Sequence, residues 1–172
     1  MRDALTLDSN ITIEYWKNQL RRSVVEKLLA LARTGEVSLM VTARIREDIP
    51  QEPLARELDR LPELGVVEGP SVARLGFWVL GRDMLGSNGF VAVSSEIEAE
   101  FRRTGRNPPD WRDFDHLHAH MLQGRDVYLT WDRRVLDAAD MLRVRFSLRV
   151  SSPEQYLDSR PSSRPRSSDS VA

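Results

Sequence analysis

The stretch DFDHLHAHMLQGRDVYLTWDRRVL, residues 113–136, decides the fold. It carries a helical pattern from about Asp113 to Gln123, a glycine stop at Gly124, and a buried strand from Asp126 to Thr130. A second helical pattern, Asp132 to Leu142, follows at once. The same alternation opens the chain. Ala4 to Asp8 (ALTLD) is a short apolar run ending in a carboxylate, Glu14 to Thr34 has helical spacing up to Gly35, and Val37 to Thr42 (VSLMVT) reads as a second buried strand. Strands that alternate with helices imply an α/β domain, a three-layer sandwich with a mainly parallel central sheet, because each parallel connection needs a crossover that a helix supplies.

Between these two ends the pattern is less regular. Gln51 to Leu64 reads as a helix interrupted by Pro62, and from Gly65 to Phe90 neither the helical nor the strand period wins. Ser95 with Glu98 three residues on has the form of a capping box opening a helix to Arg103, closed by Gly105. Asn107-Pro108-Pro109 then breaks the chain. Phe146 to Val150 is expected as the last strand, and Ser152-Pro153-Glu154 as the start of a short helix with serine as cap and proline at the first helical position. Residues 1–158 thus form one domain. Residues 159–172, rich in serine, arginine and proline, have almost nothing to bury and are expected to be a disordered tail.

Composition narrows the function classes. With 25 basic and 26 acidic side chains the net charge is −1, which argues against a protein that coats nucleic acid through a uniformly basic surface. The absence of cysteine excludes disulfides, thiolate metal sites and a cysteine nucleophile. No apolar run approaches the ~20 residues that span a bilayer, and the N-terminus lacks a secretory pattern, so a cytoplasmic protein without membrane contact is expected.

In open parallel sheets ligands bind beyond the carboxyl ends of the strands. Asp8 ends the first strand, and Asp132 lies two residues beyond the later apolar run, so both belong at that edge. Asp113 and Asp115 add two carboxylates at a helix start. Each acid alone could be a helix cap. Several converging in one crevice repel one another unless a hard divalent cation lies between them, and oxygen donors favour Mg²⁺ or Mn²⁺.

A competing constellation is His116, His118 and His120, an H-x-H-x-H array of the kind that could hold zinc. On a helix His118 points nearly opposite to the other two, which makes that site geometrically poor. A receiver-like phosphoacceptor would need a lysine near a late strand, but Lys17 and Lys27, the only lysines, both fall in the first helix. Trp131, at the mouth of the crevice, could stack a base, and Arg44, Arg46, Arg133 and Arg134 flank the acids and could hold phosphates.

The segments LDSN (residues 7–10), DFDHLHAHMLQGRDVYLTWDRRVL and VSSPEQYL (residues 150–157) resemble, in this order, a PIN-domain ribonuclease. The resemblance spans Leu5 to Leu157. It implies four acids: Asp8, with Ser9 and Asn10 in support; Asp48 or Glu47 after the second strand, Asp48 preferred; Asp113, with Asp115 as the alternative; and Asp132, preceded by Thr130 of the Thr-x-Asp motif. Asp113 and Asp115 differ by about 200° round a helix, so only one of them points into the site. His116, one turn from Asp113, is expected beside the substrate phosphate. The implied activity is hydrolysis of RNA phosphodiester bonds with Mg²⁺ or Mn²⁺ as cofactor and no covalent intermediate. Family members are often toxins of toxin–antitoxin pairs, which implies an antitoxin partner and a homodimer. The alternative is a PIN-like module that binds RNA or protein without cleaving.

Overall fold

The computed structural model describes residues 2–48, 56, 61–67, 71–72, 83–84 and 88–160, without the side chains of residues 46–47, 67, 71–72, 83–84, 88–94 and 111. Most of the expected helix at 51–64 and of the irregular stretch at 65–90, the tail from residue 161, and the side chains of Arg46, Glu47, Trp78 and Trp111 lie outside the described residues.

In chain order the elements are β1 (Asp3–Leu7), α1 (Ser9–Lys17), α2 (Gln19–Arg33), β2 (Val37–Thr42), α3 (Ile45–Asp48), β3 (Leu64–Val67), β4 (Ser71–Val72), β5 (Asp83–Met84), α4 (Asn88–Arg103), α5 (Trp111–Leu122), β6 (Val127–Leu129), α6 (Arg133–Asp137), α7 (Ala139–Phe146), β7 (Val150–Ser151) and α8 (Pro153–Ser159). Five strands form one sheet in the order β3-β2-β1-β6-β7, and every pairing is parallel. β4 and β5 make a separate parallel pair. Among the described residues no helix is long and apolar enough to cross a membrane.

Alternation along the strands sorts the side chains onto two faces. Leu5, Leu7, Val37, Leu39, Val41, Val127 and Leu129 pack with Ile11, Val25, Leu28, Leu29 and Tyr156 from α1, α2 and α8. On the other face a second cluster joins Tyr128 to Ile97, Phe101, Phe114, Leu117, Val135 and Leu142 from α4 to α7. Gly124, at φ +56, takes the left-handed conformation that ends α5 and returns the chain to the sheet.

Several boundaries differ from expectation for local reasons. The long first helix is two, because the Asn18 side chain accepts from the N–H groups of Leu20 and Arg21 and restarts the helix there. Ser95 lies inside α4 rather than at its start, and Glu98 turns to Arg102 one helical turn on, at 2.7 Å. Leu64 belongs to β3, not to a helix. Pro62 precedes it in a turn, and Gly65 lies so near the Met40 side chain of β2 that a Cβ would come within 3.2 Å. The helix expected over Asp132–Leu142 divides at Ala138, whose N–H closes a tight turn onto the Val135 carbonyl. Phe146 ends α7 instead of starting a strand. Ser147 adopts φ +55, the Leu148 N–H folds back to the Leu142 carbonyl, and only Val150–Ser151 pair in the sheet.

Candidate active site

The chain builds β1, β2 and β3 outward in one direction, then returns to lay β6 and β7 on the other side of β1. The strand order therefore reverses between β1 and β6, the position at which such sheets open a crevice. Leu7 pairs with Leu129, and the Asp8 N–H extends the ladder with a 2.9 Å bond to the Leu129 carbonyl. Asp8 and Thr130 are thereby neighbours across the switch point. The Thr130 hydroxyl donates to Asp8 Oδ2 at 2.5 Å while accepting from Asn10 Nδ2 at 3.0 Å and from the Asp132 N–H at 2.9 Å. Asn10 Nδ2 also reaches Asp8 Oδ2 at 2.7 Å, its Oδ1 accepts from the Trp131 N–H at 3.2 Å, and Ser9 Oγ lies 3.3 Å from Asp8 Oδ1. Asp8 is 2% exposed, so this network offsets the cost of burying its charge and fixes its orientation.

Asp113 and Asp132 hang from helix starts at the same edge. Asp110 caps α5 by accepting from the N–H groups of Arg112 and Asp113, and Asp113 Oδ2 accepts in return from the Asp110 N–H at 2.9 Å. Burial, with the charges of Asp8, Asp110 and Asp132 added to it, pushes the Asp113 carboxyl up to about 7. Asp132 caps α6 through the Arg134 N–H at 2.8 Å. Burial works to raise its pKa, but the hydrogen bonds and charge of Arg134 prevail and hold it below the usual carboxylate range. Arg134 Nη2 spans the two acids, 2.5 Å from Asp132 Oδ2 and 3.2 Å from Asp113 Oδ2.

A second layer lies beneath. His116 is 1% exposed; its Nε2 is 2.5 Å from Asp48 Oδ2, and its Nδ1 meets the hydroxyl of Thr42 at the end of β2. Burial opposes the imidazolium, yet the bond to Asp48 and the charges of Asp8, Asp48 and Asp113 outweigh it and raise the pKa. A side chain this buried does not touch a phosphate; His116 holds Asp48 instead, which corrects its expected role. His120 Nδ1 meets Thr6 Oγ1 of β1 at 2.9 Å, and burial, helped by the nearby Arg125 charge, pushes its pKa down to about 4. His118 is also buried and burial lowers its pKa; among the described residues the three histidines form no metal-ligand group.

The helical geometry separates the two alternatives for the third acid. Asp113 faces Asp8 and Asp132, whereas Asp115 is buried against Arg44 with 2.5 Å between Oδ2 and Nη1. That pairing also removes Arg44 from the candidate phosphate contacts. Trp131 donates through Nε1 to both Glu154 oxygens, and the Arg21 guanidinium covers its ring at 4.6 Å. Its ring face is thus engaged within the chain rather than offered to a base. Thr42 and Asp110 were missed by sequence reasoning. A signal for Thr42 exists, since VSLMVT and DVYLT both end in threonine, one beneath each candidate acid pair.

No protein-family model and no curated protein matches the sequence. Solved structures do. A chain of VapBC2 from Rickettsia felis, crystallised on a DNA fragment from its promoter, superposes with a TM-score of 0.55 at 13% identity, covering 87% of this chain and 98% of that one. A chain of VapBC-1 from nontypeable Haemophilus influenzae gives 0.52 at 15%, covering 88% and 98%. The VapC chains of such complexes are PIN domains.

The chain has the PIN fold.

Whether this PIN crevice suits the metal expected there is tested by its donors. Asp8, Asp48, Asp113 and Asp132 offer only oxygen, the donor set of Mg²⁺ and Mn²⁺ rather than zinc. Asp48 Oδ1 is a buried acceptor with no hydrogen-bond partner among the described residues, and burial together with the charges of its acidic neighbours raises Asp113 to about 7, so an added cation suits this edge. Among the described residues no three His, Asp or Glu side chains are gathered as a ligand group. Arg134 pairs with two of the acids in this arrangement.

Proposed function

We propose that this PIN domain is a metal-dependent endoribonuclease and the toxin partner of a small antitoxin protein. The observation that carries the reading is that Asp8, Asp113 and Asp132 share the carboxyl edge of the sheet at the β1/β6 switch point, where burial and, after it, the charges of Asp8, Asp110 and Asp132 raise Asp113 to about 7. Asp8, Asp48, Asp113 and Asp132 would hold the ion, with Glu47 next to Asp48 as a further carboxylate of the same turn. A bound Mg²⁺ or Mn²⁺ supplies charge neutralisation at the scissile phosphate and makes water a competent nucleophile at neutral pH. The chain's own part is to orient. Thr130, Asn10 and Ser9 hold Asp8, and His116 with Thr42 holds Asp48. Arg133, exposed at the start of α6, is available on the rim to meet phosphate oxygens. The neighbours in fold are VapBC complexes, which supports an antitoxin partner; a homodimer and a cytoplasmic setting belong to the same reading.

The test is cleavage of structured and unstructured RNA with Mn²⁺ or Mg²⁺ against EDTA. Parent activity that needs the ion, and that falls roughly a hundredfold or more in Asp8→Asn and Asp132→Asn, is expected from the loss of a main electrostatic contact to the transition state. The engagement of Asp113 and Asp132 by Arg134 favours the one competing reading, a PIN module that binds RNA or protein without cutting. RNA bound but uncut under every metal condition would decide for it.

A further inference from the structure

We propose that Arg134 is a displaceable counter-cation of the acidic crevice: it holds Asp113 and Asp132 together in the metal-free protein and withdraws when a divalent ion binds. The inference rests on the metal reading above and concerns how the chain sets its affinity for the ion.

Arg134 contacts Asp132 through three atoms, with its backbone N–H and Nε on Oδ1 and Nη2 on Oδ2, and the same Nη2 reaches Asp113 Oδ2. A guanidinium that spans two carboxylates does the electrostatic work of a cation between them. A divalent ion using the same oxygens would stand within a few ångströms of that guanidinium, where two positive charges repel, so the two occupants exclude each other. His116 differs. It is sealed beneath Asp48, whereas the Arg134 side chain is 46% exposed on the first turn of α6.

It also has somewhere to go. A cavity of about 210 Å³ beside the crevice is lined by Arg106, Asn107, Arg134 and Asp137. Asp137 lies three residues after Arg134 on the same helix, the spacing at which side chains meet, and offers an exposed carboxylate to the displaced arginine. Asp113, Asp132, Arg134 and Asp137 thus form a two-position switch in which the ion and the arginine trade places.

The test is Mn²⁺ binding to the full chain by calorimetric titration, with thermal melting in EDTA and in Mn²⁺ as a second readout. Arg134→Gln removes the competitor and is expected to bind Mn²⁺ roughly three- to tenfold more tightly, the scale of losing two partly exposed ion pairs. Its melting temperature should be lower than the parent's in EDTA and rise more on adding Mn²⁺. Arg134→Lys keeps the charge but not the fork that spans two carboxylates, so its affinity should fall between the two. If Arg134→Gln fails to fold, Arg134→Lys decides, and parent-like affinity in it overturns the proposal. A parent that binds Mn²⁺, loses it in Asp8→Asn, and gains nothing in Arg134→Gln also overturns it while leaving the metal reading intact. Mn²⁺ uptake by neither the parent nor Arg134→Gln overturns both.

Discussion

The face of the sheet that meets α1, α2 and α8 is closed by Leu5, Leu7, Leu28, Leu29, Leu39 and Val41, whereas the face beneath α5 buries Thr6, Thr42, Asp8, Thr130 and three histidines. Both are buried, and they hold by different means. Apolar packing has no preferred direction and tolerates rearrangement at constant volume. A buried hydrogen bond has a direction, and losing one partner leaves the other unsatisfied in a low-dielectric setting. Apolar packing, on the first face and in the Tyr128 cluster on the other, therefore supplies most of the stability, and the buried polar groups convert part of it into fixed positions for Asp8 and Asp48 at the sheet edge.

Three changes break or sharpen this contrast. The largest effect is expected on the apolar side: Leu28→Ala, at a position with no exposure, should cost about 2–5 kcal/mol in urea unfolding. A loss below 1 kcal/mol would mean that this face is not the main source of stability.

Next comes a pH effect confined to the polar face. Unfolded His120, near its ordinary 6.5, takes up a proton that the folded residue accepts only near 4, so its contribution is complete above pH 6.5 and is lost as pH falls towards 4. Asp113 acts in the opposite sense. Its folded carboxyl keeps a proton up to about 7 that the unfolded one releases near 3.8, so its contribution is complete below 3.8 and is lost as pH rises towards 7. The two slopes, each at most ~1.4 kcal/mol per pH unit, oppose one another between pH 4 and 6.5. Asp113→Asn removes one of them. Relative to the parent in EDTA, its stability should climb with pH by about 3 kcal/mol over that window, and a difference that stays flat in parallel denaturation curves would refute the upward shift that burial and neighbouring charges give Asp113.

The smallest of the three is Thr130→Val, which keeps volume but strips Asp8 of a donor and Asn10 and the Asp132 N–H of an acceptor. A cost of about 1–3 kcal/mol is expected, with Thr130→Ser recovering most of it. Equal stability of Val and Ser variants would show that the network orients without stabilising.

The apolar face was the more legible in the sequence, for the same physical reason. ALTLD, VSLMVT and DVYLT announce buried strands, and Gly35 and Gly124 mark helix ends, because burial leaves a composition signal and a left-handed turn leaves a glycine. Asp8, Asp113 and Asp132 were legible as acids at one edge. Their partners were not, since a hydrogen bond between Thr42 and His116, 74 residues apart, leaves no periodic trace. Arg44 and Arg134 illustrate the limit. Both flank acids in the sequence, yet one is buried on Asp115 and the other bridges Asp113 and Asp132. The Ser95-Glu98 pattern misled because a capping-box spacing is also an ordinary i, i+3 spacing inside a helix. Phe146 to Val150 misled because an apolar run of that length does not reveal a left-handed residue at Ser147.

At the other end of the sheet, the Tyr156 hydroxyl donates to Asp3 at the start of β1, and Arg160 pairs with Glu36 just ahead of β2. These contacts anchor the backbone at Arg160 to the amino ends of the strands, while Asp8 stands at their carboxyl ends, about 17 Å away for a five-residue strand. An anchor or fluorophore joined just beyond Arg160 thus starts from the edge remote from the acids. A sensor surface coupled there would present the crevice outward, and a partner captured by such a surface would be reporting on the acidic rim rather than on the attachment point.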